Sequence, residues 1–145
     1  MDASIVLDTS VVIKWFRQGE VLASQALALR DAYLHGQILV SVPSLLAYEL
    51  ANVLRYKRDL TTAQVEDAVQ SLFDMGLEWM PPSATVMRRT VIVAREWDIT
   101  VYDAVFVALA ESRNATFITA DEQLARRLED LPFVRYLGDL GEGQE

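Results

Sequence analysis

Apolar and polar positions fall in short alternating blocks along the chain. Ser4-Ile5-Val6-Leu7 is a run of β-friendly residues that ends at a carboxylate, Asp8, as a short, fully buried strand with an acidic end. Over residues 10–17 the apolar set Val11, Val12, Ile13, Trp15 and Phe16 is too dense for one face, which predicts a short helix opening at Thr9 or Ser10 and broken by Gly19. Residues 20–35 carry Leu22, Ala26, Leu29 and Tyr33 at helical spacing, with Gly36 as the stop. A second apolar strand over 38–42 is closed by Pro43. Ser44 is then the predicted N-cap of a helix to about Arg58 whose core face is Leu46, Leu50, Val53 and Leu54.

Thr61-x-x-Gln64 has the form of a capping box for a helix that ends at Gly76. Residues 77–80 read as a short strand before Pro81-Pro82, and Ser83 caps a helix to about Trp97. A further helix, rich in alanine, covers 101–113. The strand over 115–119 runs, like the first, into an acid: Thr119-Ala120-Asp121. A short helix to about Glu129, a last strand over 134–137 and a frayed polar tail from Gly141 complete the chain. Strand–helix–strand alternation of this kind predicts an α/β fold with a central, mostly parallel sheet of four or five strands and helices on both faces. The expected boundaries are one domain over 1–138 and a tail over 139–145.

Composition narrows the chemistry. The 145 residues are 52% hydrophobic and 23% charged, which suits one well-filled domain and excludes disorder. With no cysteine there is no disulfide frame, thiolate nucleophile or cysteine-bound zinc. The single histidine, His35, stands beside Gly36 at a helix end, where the dipole favours it. A net charge of −8 disfavours non-specific nucleic-acid binding without a local basic patch or a metal. Asp2 and the absence of a basic run near the start do not suggest a secretory signal. The longest wholly apolar stretch, 104–110, is too short to span a bilayer. A cytoplasmic protein is the expectation.

The acids then define the question. In doubly wound sheets, ligands bind beyond the carboxyl ends of the strands, where strand order reverses. Asp8 and Asp121 each close a short apolar strand. Glu49 and Asp103 lie on helices able to lean into the same crevice. Each has a plain structural role available as well. Asp8 can cap the helix after it, Asp103 completes Thr100-x-x-Asp103, Asp121 can be a first-turn anion between Thr119 and Glu122, and Glu49 can pair with a surface cation. If the four meet, their repulsion is relieved by protonation or by a divalent cation, and an all-oxygen set suits Mg²⁺ or Mn²⁺. Thr9, Ser10, Asn52 and Thr119 are the polar neighbours expected to orient those carboxylates.

Val6-Leu7-Asp8-Thr9-Ser10, Glu49 with Asn52, Tyr102-Asp103-Ala104 and Thr119-Ala120-Asp121 occur here in an order and spacing that resembles the PIN-domain family, and within it the VapC-type toxin ribonucleases of type II toxin-antitoxin systems. No one of these motifs is specific; the ordered set covers nearly the whole chain. The resemblance implies an endoribonuclease for single-stranded RNA that uses Mg²⁺ or Mn²⁺, with Asp8, Glu49, Asp103 and Asp121 binding the metal or activating water. It also implies a homodimer and neutralisation by a VapB-type antitoxin. RNA would have to approach over Lys14, Arg17, Arg55, Lys57, Arg58 and the helix bearing Arg88, Arg89 and Arg95. Two other classes stay open: an aspartyl-phosphate receiver or phosphatase with Asp8 as nucleophile, and a non-catalytic interaction module using the apolar surface around Val12, Trp15 and Phe16.

Overall fold

A computed structural model describes residues 3–141. Asp2 and residues 142–145 of the expected tail lie outside the described residues. Five strands, β1 (Ala3–Leu7), β2 (Ile38–Pro43), β3 (Glu78–Met80), β4 (Thr116–Thr119) and β5 (Val134–Tyr136), form one sheet in the order β3-β2-β1-β4-β5. Every pairing is parallel, so the sheet is more uniform than the mostly parallel one expected. Seven helices connect the strands: α1 (Thr9–Val12), α2 (Ala23–Leu34), α3 (Leu45–Arg55), α4 (Thr62–Asp74), α5 (Ala84–Trp97), α6 (Val101–Ser112) and α7 (Glu122–Arg127). None of the described helices is long and apolar enough to cross a membrane.

The strand order carries a reversal. From β1 the chain steps to β2 and β3 on one side, then returns across the sheet to β4 and β5 on the other. Right-handed crossovers accordingly put α2, α3 and α4 on one face and α5, α6 and α7 on the opposite face. The reversal falls between β1 and β4, which pair with Leu7 opposite Ile118. Asp8 therefore comes level with Thr119.

The core is apolar on both faces of the central strands. Val6, Leu7, Val42 and Phe117 are fully buried, as are Leu46, Leu50 and Leu54 along α3 and Ala104 and Ala110 along α6. Phe106 and Phe117 stack across the α6–β4 contact, with centroids 6.2 Å apart. Small alanines on α6 let that helix pack closely on β1, β2 and β4.

Some local expectations hold and others meet a different outcome. The capping box at Thr61 and Gln64 forms in full. Ser44, by contrast, has helical dihedrals and makes no side-chain cap; its hydroxyl and amide both reach the Met80 carbonyl, tying the start of α3 to β3. The helix expected from residue 20 starts at Ala23, because Leu22 is left-handed (φ 64°) and Glu20 is held by Arg17 and Lys14 instead. The 10–17 segment splits into α1 and a 3-10 turn, Ile13–Trp15. Tyr33 meets the core only partly and donates its hydroxyl to the Met75 carbonyl at 2.9 Å. His35 closes α2, its Nδ1 2.7 Å from the Asp31 carbonyl. Leu137 and Leu140 are buried against the core, just beyond β5.

Phe117→Ala removes the ring at the centre of the sheet and costs about 3–5 kcal/mol in urea unfolding, whereas Tyr48→Ala, at an exposed ring, stays within about 0.5 kcal/mol of wild type. Equal losses would contradict this placement of the core.

Candidate active site

Asp8 ends β1 with its carboxylate buried, 7% exposed. Its backbone carbonyl opens α1 by accepting from the amides of Val11 and Val12, but its side chain makes no cap. The carboxylate instead faces β4. Ser10 Oγ donates to Oδ1 at 2.5 Å, and Thr119 Oγ1 donates to Oδ2 at 2.6 Å. Each hydroxyl is held in turn by a backbone amide from the turn after β4: Ala120 N–H donates to Ser10 Oγ at 2.8 Å, and Asp121 N–H donates to Thr119 Oγ1 at 3.1 Å. Parallel register makes this possible, because it sets Thr119 beside Asp8 with the β4–α7 turn directly above.

The other three carboxylates gather around this pair. Glu49 lies on α3 beside the buried Leu46–Leu50 stripe, half-buried, and accepts a hydrogen bond from Thr9 Oγ1 at 2.7 Å. Asp103 sits in the first turn of α6, where its amide donates to the Thr100 hydroxyl at 3.0 Å. Asp121 is the N-cap of α7 and accepts from the Leu124 amide at 3.1 Å, so it caps that helix directly rather than standing inside a Thr119–Glu122 cap. It is exposed at the rim of the cleft. Asn52 is also exposed, one turn beyond Glu49.

Electrostatic influence links the four through one of them. Asp103 is the hub: its charge pushes up the pKa of both Asp8 and Glu49, and its own is raised by burial first and then by Asp121. Burial is likewise the leading cause at Glu49, with the Thr9 hydrogen bond opposing it. At Asp8 burial is again the largest cause; the hydroxyls of Ser10 and Thr119 pull the other way, and the result is a carboxyl raised from 3.8 to about 6. Among the described residues no ion pair reaches any of the four. The surface-pair role that Glu49 could have had is thus absent.

Whether these residues suit a metal can be judged from the donors. The four carboxylates are linked through Asp103 and none has a cation paired to it, which is the chemistry that a hard dication relieves. Among the described residues, no three acids or histidines converge as the ligands of one ion would. The two observations agree for an ion such as Mg²⁺, which usually keeps several waters and takes only one or two carboxylates directly. The set fits a hydrated, open ion and not a closed cage.

The expected basic approach is thinner than its sequence suggests. Lys14 and Arg17 are engaged by Glu20, and Arg17 also by Asp59. Arg89 is paired with Glu111. Arg55 lies over the ring of Tyr56, 3.9 Å from its centroid, and Arg58 is exposed beside it. Two exposed rings, Tyr48 and Tyr102, each stand immediately before one of the four acids; Tyr102 belongs to the Tyr102-Asp103-Ala104 motif, and adjacency to Glu49 is the sequence signal for Tyr48.

Because the Asp8 carboxyl is raised on folding, its contribution to stability is fully present below about pH 4 and is lost as pH rises through about 6. In chelator, Asp8→Asn should therefore be more stable than wild type at pH 8, by up to about 3 kcal/mol for a shift of about two units. The difference should close at pH 4. Urea unfolding at both values measures it, and a constant difference would refute the burial argument.

The sequence profile of the PIN domain matches residues 5–129. No curated protein sequence matches the chain. Solved structures share the architecture at low identity. VapBC2 from Rickettsia felis, bound to a DNA fragment from its promoter, is 16% identical, with a TM-score of 0.68 over 92% of this chain and 98% of that one. A toxin-antitoxin complex from Klebsiella pneumoniae is 18% identical, with a TM-score of 0.69 over 92% and 97%. VapC20 from Mycobacterium tuberculosis, a toxin that cleaves the sarcin-ricin loop, is 13% identical, with a TM-score of 0.63 over 84% and 93%. With the profile spanning β1 through the end of α7, and the acids at the reversal of an all-parallel sheet, this chain belongs to the PIN-domain family.

Proposed function

We propose that the protein is a divalent-cation-dependent endoribonuclease of the VapC toxin type. The observation that supports this most is the gathering of Asp8, Glu49, Asp103 and Asp121 without a counter-cation at the switch point between β1 and β4. An acidic cleft of that kind repels phosphate unless an ion sits in it. Bound Mg²⁺ or Mn²⁺ would polarise a phosphoryl oxygen and make water more acidic.

The chain's own residues have separable tasks in this reading. Asp8 and Asp103 would hold the ion, with Asp121 and Glu49 completing the acidic ring directly or through water. Ser10 and Thr119 fix both oxygens of Asp8 so that its remaining lone pairs face the cleft. Thr9 leaves Glu49 one oxygen free to take a proton from the attacking water. Asn52, exposed beside Glu49, would orient water or strand at the rim.

The partners follow the same reading. Single-stranded RNA is the substrate, and the toxin-antitoxin complexes among the structural neighbours support a small VapB-type antitoxin as regulator. A homodimer in the cytoplasm is the proposed working state.

Purified protein should cut mixed single-stranded RNA in Mg²⁺ or Mn²⁺ and not in chelator. Asp8→Asn should abolish cutting, and Thr119→Val should lower activity or metal affinity about 10–100-fold. Cutting that survives in chelator or in Asp8→Asn refutes the reading. Reversing the charges of Arg55, Lys57 and Arg58 together should weaken RNA cleavage and flatten its salt dependence. Unchanged cleavage would remove that patch from the RNA path.

A further inference from the structure

A groove of about 690 Å³ lies between the start of α3, the end of β3 and the first turns of α5 and α6. Its walls carry no charged side chain; Met80, Pro81, Val86 and Met87 give it an apolar floor. Tyr48 and Tyr102 line it as well and are 75% and 62% exposed, large costs in ring exposure for a monomer core to leave unfilled. Tyr48 directly precedes Glu49, and Tyr102 directly precedes Asp103. Each ring thus stands on the same helical turn as one of the four acids.

We propose that Tyr48 and Tyr102 form a stacking platform for unpaired nucleobases of the strand to be cut. The proposal rests on the nuclease reading and names how that substrate is held. An acidic protein of net charge −8, with Lys14, Arg17 and Arg89 already in ion pairs, relies on a small patch such as Arg55, Lys57 and Arg58 to grip a phosphate backbone. Base–aromatic stacking supplies affinity without charge, and it requires the base to be out of a duplex. The groove's volume lies in the range of concave small-ligand sites, which suits flat heterocycles. Its uncharged walls avoid phosphate, so the backbone would run along the acidic cleft and its metal while the bases turn into the groove.

The test uses full-length Asp8→Asn protein in Mg²⁺, so that RNA stays intact, and a short single-stranded RNA bearing 2-aminopurine. Expected results are quenching of the 2-aminopurine on binding, affinity at least about tenfold weaker after Tyr48→Ala with Tyr102→Ala, and near-parent affinity after Tyr48→Phe with Tyr102→Phe. Thermal melts of each variant check folding. Absence of quenching in the parent, or equal affinity in the alanine pair, overturns the platform. So does a loss of binding accompanied by a dimer-to-monomer change in sedimentation, which would assign the groove to a second copy of the chain. Cleavage by the wild type with an unaffected alanine pair would leave the nuclease reading standing and the platform refuted. Tyrosine-dependent quenching without any metal-dependent cleavage would do the reverse.

Discussion

A buried carboxylate with no cationic partner is the constraint around which this structure is arranged. Asp8 is desolvated at the end of the central strand, and two hydroxyls, each anchored by a backbone amide, are what holds it there. Such a group is costly to keep charged in an apolar interior. The fold tolerates it because the hydroxyl pair satisfies both oxygens, and because the cleft beyond is open on the side of Asp121. The remaining acids make the position less favourable, not more, which is hard to reconcile with a purely structural role.

The same arrangement explains why an all-parallel sheet with reversed strand order suits this chemistry. Parallel strands point all their carboxyl ends to one rim, and the reversal leaves a gap between the helices of the two faces. The β1–β4 register brings Asp8 level with Thr119 and puts the turn bearing Asp121 directly above. Helices from opposite faces, α3 and α6, then carry Glu49 and Asp103 to the gap. Local rules fix each acid's backbone, while the pairing of β1 with β4 sets Asp8 beside the turn that carries Asp121.

Much of this was legible in the chain. The apolar runs of β1, β2 and β4 close at Asp8, Pro43 and Thr119, and α2 and α4 stop at the left-handed glycines Gly36 and Gly76, through local backbone physics. The acid set was visible through order and spacing. Less was legible where tertiary contacts override local preference. Ser44 has the residue type of a cap but spends its hydroxyl on β3. Leu22 has a core residue's character but takes a left-handed turn before α2. Lys14, Arg17 and Arg89 look like free cations in sequence, and only the fold reveals the acids that bind them. Exposure of Tyr48 and Tyr102 could not be read either, since an aromatic next to an acid is as compatible with burial as with a groove wall.

The tie between Thr119 and Asp8 joins positions 111 residues apart. During synthesis, β1 through α6 can collapse before β4 has left the ribosome, yet the first aspartate then lacks one of its two clamps and the fourth acid altogether. Chains cut short between α6 and that strand hold Asp8, Glu49 and Asp103 without the Thr119 clamp. The seam between the two strands is therefore a late, long-range closure that no fragment lacking residue 119 can complete.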